Sequence, residues 1–321
     1  MDAQRGTTLV AALAALCLAP ACDRGSQLVG PKVSPDAVTA AVSDAQWSEW
    51  SVPVNLGPTV NSAFGDATPD LSRDGLSLYF GSNRLGGSGL GDLWVSRRAS
   101  VDDPWGVPVN LGSVVNSSAA DGGPSLSPDG HYLFFASGRP GGFGQNDIWV
   151  SWRDDVHDDF AWEAPVNVGP PVNGPTFDAG PEFRRPEFYF VSGSTVPAIP
   201  FDIYVSSVTG NTFQAPRPAV ELNSPANDLR PTLSFDGREI FLASNRPGGI
   251  GAEDIWGSTR RSAAAPWSVP VNLGPVINTP FNDTQAQLSH DGTMLFFTSD
   301  RPGGSGLTDL YVSTRRVISR E

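Results

Sequence analysis

Short apolar and aromatic runs, each closed by a turn rich in Gly, Pro, Asp or Asn, fill the chain from about residue 47 onward. One run keeps returning: Asp92-Leu93-Trp94-Val95, Asp147-Ile148-Trp149-Val150, Asp202-Ile203-Tyr204-Val205, Asp254-Ile255-Trp256 and Asp309-Leu310-Tyr311-Val312. The intervals are 55, 55, 52 and 55 residues. A period of that size, built only from strands and turns, predicts propeller blades. Five copies predict an all-β, five-bladed β-propeller with four antiparallel strands per blade.

The second unit shows the pattern. Pro124–Ser127 is a short strand and Pro128-Asp129-Gly130 a tight turn. His131–Ala136 is a strand with little polar alternation, as expected where both faces are covered by neighbouring blades. Arg139-Pro140-Gly141-Gly142 turns the chain into Asp147–Trp152, and Trp162–Val168 completes the unit. A fourth-strand motif recurs as Val54-Asn55-Leu56-Gly57, Val109-Asn110-Leu111-Gly112, Val166-Asn167-Val168-Gly169, Val220-Glu221-Leu222 and Val271-Asn272-Leu273-Gly274. Its first copy precedes every Asp-Gly turn, and none follows the last unit. The N-terminal segment Trp50–Leu56 is therefore expected to pair with the last blade and close the ring, leaving no open edge.

Ser-Pro-Asp-Gly, an aromatic strand, Arg-Pro-Gly-Gly and Asp-Ile-Trp-Val follow in fixed order over residues 47–316. This succession resembles the Pro-Asp β-propeller repeat of TolB and related exported proteins of the bacterial envelope. The resemblance implies a propeller, an exported setting and binding to a protein or glycan. TolB-type propellers usually have six blades where five are read here, so no particular TolB partner carries over.

The N-terminus is a different material. Arg5, an apolar run from Leu9 to Leu18 and Ala19-Pro20-Ala21-Cys22 read as a signal peptide over residues 1–21. The run is too short to span a bilayer. Cys22 resembles the acceptor of a bacterial lipoprotein, although Leu18 lies one place too far upstream; plain cleavage after Ala21 is the competing reading. With Cys17 inside the signal, the mature chain would carry no disulfide. Residues 22–45 read as a flexible tether, 46–316 as the propeller and 317–321 as a tail.

A formal net charge of -13, with only 21 Lys and Arg, excludes a nucleic-acid surface, which needs a basic footprint. It also disfavours contact with anionic lipid other than through an anchor at Cys22.

Three sets of residues carry candidate chemistry. Arg84 precedes Asp92 by eight residues, as Arg139 precedes Asp147, Arg246 precedes Asp254 and Arg301 precedes Asp309. Such pairs can fix hairpin register by ion pairing. The third unit has Ser194 in place of the Arg, and Arg184-Arg185-Pro186-Glu187 in place of its Asp-Gly turn. The turns 86–92 and 303–309 resemble calcium-binding glycine repeats, but they lie a whole unit apart, which favours turn geometry over a metal. Finally, Asp66, Asp121, Asp178, Asp228 and Asp283 each follow an Asn by five residues and precede an innermost strand. They either cap their own loops or form an acidic ring at one channel mouth for a cation, an amine or a sugar. His131, His157 and His290 have no metal-ligand spacing, and no Gly-x-Ser-x-Gly elbow, phosphate loop or cofactor motif is present.

Uniform blades without a unique catalytic cluster favour a non-catalytic binding or scaffold propeller engaging a protein or glycan of the cell envelope. The alternative is a glycoside hydrolase-like five-bladed propeller using carboxylates in the central funnel, where acid and base need different environments. A third reading is a structural part of an envelope assembly. A nonequivalent funnel carboxylate that holds its proton would favour the enzyme.

Overall fold

The computed structural model describes residues 46–195 and 198–318. The signal peptide, the tether and Cys22 lie outside them. Five antiparallel sheets are arranged as the blades of a five-bladed β-propeller. Blade one is Asp66–Leu71, Ser77–Ser82, Asp92–Arg97 and Val109–Asn110, from the channel outward. Blade two repeats it with Asp121–Leu126, Tyr132–Ser137, Asp147–Trp152 and Val166–Asn167. Blade four runs Asp228–Leu233, Glu239–Ser244, Asp254–Thr259 and Val271–Asn272. Blade five supplies Asp283–Leu288, Met294–Ser299 and Asp309–Thr314, and its outer strand is Val54–Asn55.

That closure is the one expected from the displaced first motif. Val54 pairs with Val312 and Asn55 with Tyr311. The junction extends further than the sequence suggests: Gln46–Trp47 pairs with Val317–Ile318, so the ordered sheet runs past residue 316 into the expected tail.

The second strands explain why the runs lack alternation. Leu78, Tyr79 and Phe80 are all fully buried. Leu78 and Phe80 pack with Val60, Phe296 and Leu310 toward blade five. Tyr79, between them, packs with Leu126, Leu133 and Phe135 toward blade two. Successive side chains thus serve opposite blade interfaces, and each buried aliphatic or aromatic side chain contributes about 1.5–3 kcal/mol.

Blade three departs from its neighbours. Phe177–Arg184, Glu187–Thr195 and Ala198–Thr209 are longer strands, and the outer edge is split between Thr212–Phe213 and Arg217–Pro218.

Candidate functional site at the central channel

Two rings of residues line the inner strands, and they behave differently. The first is the repeated Asp set. Asp66, Asp121, Asp178, Asp228 and Asp283 are at most 2% exposed. In four blades the partner is the Arg that the sequence paired with another Asp. Arg84 Nη2 donates to Asp66 Oδ1 at 2.5 Å and Arg139 Nη2 to Asp121 Oδ1 at 2.6 Å. Arg301 reaches Asp283 at 2.5 Å, and Arg246 pairs with Asp228 in the same way. Each carboxylate also accepts a loop amide, from Ser62, Ser117, Ser224 or Thr279. The expected Arg84–Asp92, Arg139–Asp147, Arg246–Asp254 and Arg301–Asp309 pairs are corrected accordingly. The Arg reaches the inner-strand Asp, while the Asp expected to pair with it is taken by the glycine turn.

Asp92, Asp147, Asp254 and Asp309 instead clasp the glycine turns. Asp147 Oδ2 accepts from Phe143 N at 2.6 Å and Asn167 Nδ2 at 3.1 Å, and its Oδ1 from Gly144 N at 3.2 Å. A Cβ on Gly142 would lie 1.8 Å from Asp147 Oδ2, so the glycine is there for the carboxylate. The turns are built around protein donors, and no group of three or more metal-ligating side chains exists among the described residues.

Blade three has no Arg for Asp178. Its carboxylate accepts from Gly174 N at 2.7 Å, and burial pushes its pKa up despite that bond and one from Ser192. Asp202 is likewise pushed up, by burial and by Asp228.

The second ring lies four residues further along each inner strand, and sequence reasoning missed it. Every inner strand carries one residue with positive φ or a glycine equivalent: Thr68, Gly123, Gly180, Arg230 and Gln285. There the register with the second strand shifts, as between Ala67 and Asp70 or between Ala179 and Glu182. Such a bulge re-aims the following side chain. The residues that follow are Asp70, Ser125, Glu182, Thr232 and Gln287, no two alike, and together they line the narrow channel. They bond from blade to blade. Asp70 Oδ2 accepts from Leu126 N at 2.8 Å, Glu182 Oε1 from Leu233 N at 3.1 Å, and Gln287 Oε1 from Thr232 Oγ1 at 2.6 Å. Ser125 Oγ donates weakly to Glu182 Oε2 at 3.4 Å.

This ring holds two nonequivalent carboxyls. Burial, and then repulsion from Glu182, push the Asp70 pKa up to about 8. Burial also raises Glu182, but Arg184 opposes it from 3.3 Å. Asp70 is therefore a neutral acid at pH 7, and Glu182 is the member with an ion-pair partner. Because the two are coupled, the proton belongs to the pair.

Asp70 and Gln287 also line a cavity of about 440 Å³ at the mouth framed by the turns between first and second strands. Arg73, Arg184, Phe235, His157 and His290 surround it. His290 Nε2 is buried without a partner, and burial followed by Arg73 and Arg184 lowers its pKa. The repeated Asp ring stands at the opposite end of the inner strands. The signal in the sequence was divergence: Asp66, Asp121, Asp178, Asp228 and Asp283 recur, while the fourth residue after each changes every time.

No family model matches the chain, and no curated protein does. Solved structures do. The α-L-arabinofuranosidase from Lactobacillus brevis shares the fold with a TM-score of 0.55 and 17% identity, over 81% of this chain and 92% of that one. The GH43_1 enzyme from Xanthomonas citri, solved with xylotriose, gives 0.51 and 17%, over 87% and 93%. TolB from Acinetobacter baumannii also matches, at 0.46 and 14%, over 79% of this chain and 55% of that one. The expectation of a non-catalytic scaffold is corrected by the two hydrolase neighbours, in which the same five-bladed architecture belongs to glycoside hydrolases.

Proposed function

We propose that the chain is a glycoside hydrolase-like propeller whose reacting groups are Asp70 and Glu182. One observation carries this reading: two coupled, buried carboxyls from different blades meet in the narrow channel, and one of them, Asp70, holds its proton near neutrality and also lines the open cavity at the mouth. Glycosidic cleavage needs that division of labour. One carboxylic acid protonates the leaving oxygen while an ionised carboxylate activates water or attacks the anomeric carbon. Asp70 is assigned as the acid. Glu182, oriented by Leu233 N, Ser125 and Arg184, is assigned as the carboxylate. Arg73, Arg184 and His290 at the mouth offer donors to sugar hydroxyls. One neighbour is an α-L-arabinofuranosidase and another was solved with xylotriose, so pentose glycosides are the first substrates to try.

The setting that goes with this reading is outside the cytoplasm, with residues 1–21 removed on export and an acyl anchor at Cys22. Hydrolysis of aryl α-L-arabinofuranoside and of xylotriose is the test. Turnover by the natural chain and its loss in Glu182→Gln support the assignment. Turnover unchanged in Glu182→Gln, or absent from the natural chain on both substrates, overturns it.

A further inference from the structure

Four of the five blade junctions are closed by the same clasp. An Arg at the end of the third strand stacks on a Trp before the fourth: Arg98 on Trp105 at 4.3 Å, Arg153 on Trp162 at 4.2 Å, Arg260 on Trp267 at 4.2 Å and Arg315 on Trp50 at 4.5 Å. Each Arg Nε also donates to the glycine carbonyl of its own Asp-Gly turn, Gly75, Gly130, Gly237 or Gly292. In blade three the Arg position is Val208, the Trp position is Phe213, and Arg185-Pro186 replaces the turn glycine. The guanidinium donor and the Trp it stacks on have been lost together.

The volume they would fill is left as a cavity of about 130 Å³ between blades two and three. Its walls are Tyr132, Phe134, Trp152, Phe183, Val208 and Phe213. At the rim Arg185 Nη2 donates to Asn211 Oδ1 at 3.1 Å, which holds the guanidinium 5.9 Å from the Phe183 ring centroid. Glu163, also at the rim, is engaged through its backbone, with its carbonyl accepting from Ser151 and its amide donating to Trp152 O.

We propose that this pocket is a binding site for a small planar aromatic carboxylate, distinct from the channel and independent of any glycosidase activity. The ring takes the place of the missing Arg–Trp stack among aromatic walls, and a cavity of this order accepts a single ring. The carboxylate meets Arg185, whose fork matches it in a way that a neutral substituent does not.

The test is titration of the full chain with phenylacetate and with toluene, followed by calorimetry and by the fluorescence of Trp152 against a Trp152→Phe control. The acid is expected to bind about tenfold more tightly than toluene, a difference that Arg185→Ala removes. The double change Val208→Arg with Phe213→Trp rebuilds the side chains of the other junctions, and Val208→Phe fills the space with carbon alone. Either folded variant, checked by its melting curve, is expected to lose both ligands. Absence of binding by the natural chain, or undiminished binding by a filled variant, overturns the proposal.

Discussion

The two rings on the inner strands lie only four residues apart along the same strands, yet they were shaped by opposite requirements. The Asp66 ring is one solution repeated five times. Each carboxylate is sealed from solvent, takes a loop amide and, in four blades, an Arg. The Asp70 ring differs in every blade and holds two carboxyls, Asp70 and Glu182, in unlike surroundings. In a repeat protein, identical positions serve what every blade must do, which is to fix its own loop. A feature that the molecule needs only once must break the repeat.

Three changes press on that contrast. The largest effect is expected from the repeated ring. Asp121→Ala leaves the Arg139 guanidinium buried without its partner and should cost about 3–5 kcal/mol, read as a lower denaturation midpoint. Asp70→Asn should not destabilise and should raise stability near neutrality, because folding no longer has to put a proton on this side chain.

The pH dependence comes next. Asp70 titrates at about 8 in the folded chain against 3.8 as a free side chain. Between those values the folded state keeps a proton that the unfolded state has released. Stability contributed by Asp70 is therefore complete below the lower value, falls by up to about 1.4 kcal/mol per pH unit through the window, and is lost above the upper one. Chemical denaturation at pH 5, 6, 7 and 8 should show that slope in the natural chain and a shallower one in Asp70→Asn.

The smallest effect concerns the clasps. Arg260 and Arg315 also reach Glu187 and Glu239 on the preceding blade, at 2.6 Å and 2.5 Å. The corresponding place opposite Arg98 is Met294, and Arg98 Nη2 is buried without a partner. Met294→Glu should supply that partner and stabilise by about 1 kcal/mol, seen as a raised melting temperature.

Much of the fold was legible because the repeat is loud. The Asp-Ile-Trp-Val runs located the third strands, the Asp-Gly turns located the hairpins, and the displaced Val54-Asn55 motif located the closure. The site was much less legible. Attention to what recurs led to Asp66 and its equivalents, whereas the distinctive carboxyls are at positions where nothing recurs. The Arg partners were misassigned for a related reason. A spacing of eight within one hairpin is visible in sequence, but the link from Arg84 back to Asp66 joins the second strand's end to the start of the first, eighteen residues upstream. Nor does a sequence show that the bulges at Thr68 and Gly180 turn Asp70 and Glu182 into the channel. The vacancy beside Val208 emerges only when four intact clasps are seen around the ring.

The most direct measurement pairs the two rings in one experiment, with glycoside turnover and melting temperature recorded for Asp70→Asn and Asp121→Ala. The account predicts a double dissociation: Asp70→Asn melts no lower than the natural chain but turns over about 10²–10⁴-fold more slowly, while Asp121→Ala melts lower and keeps its turnover wherever it remains folded. Full activity in a folded Asp70→Asn variant would contradict it.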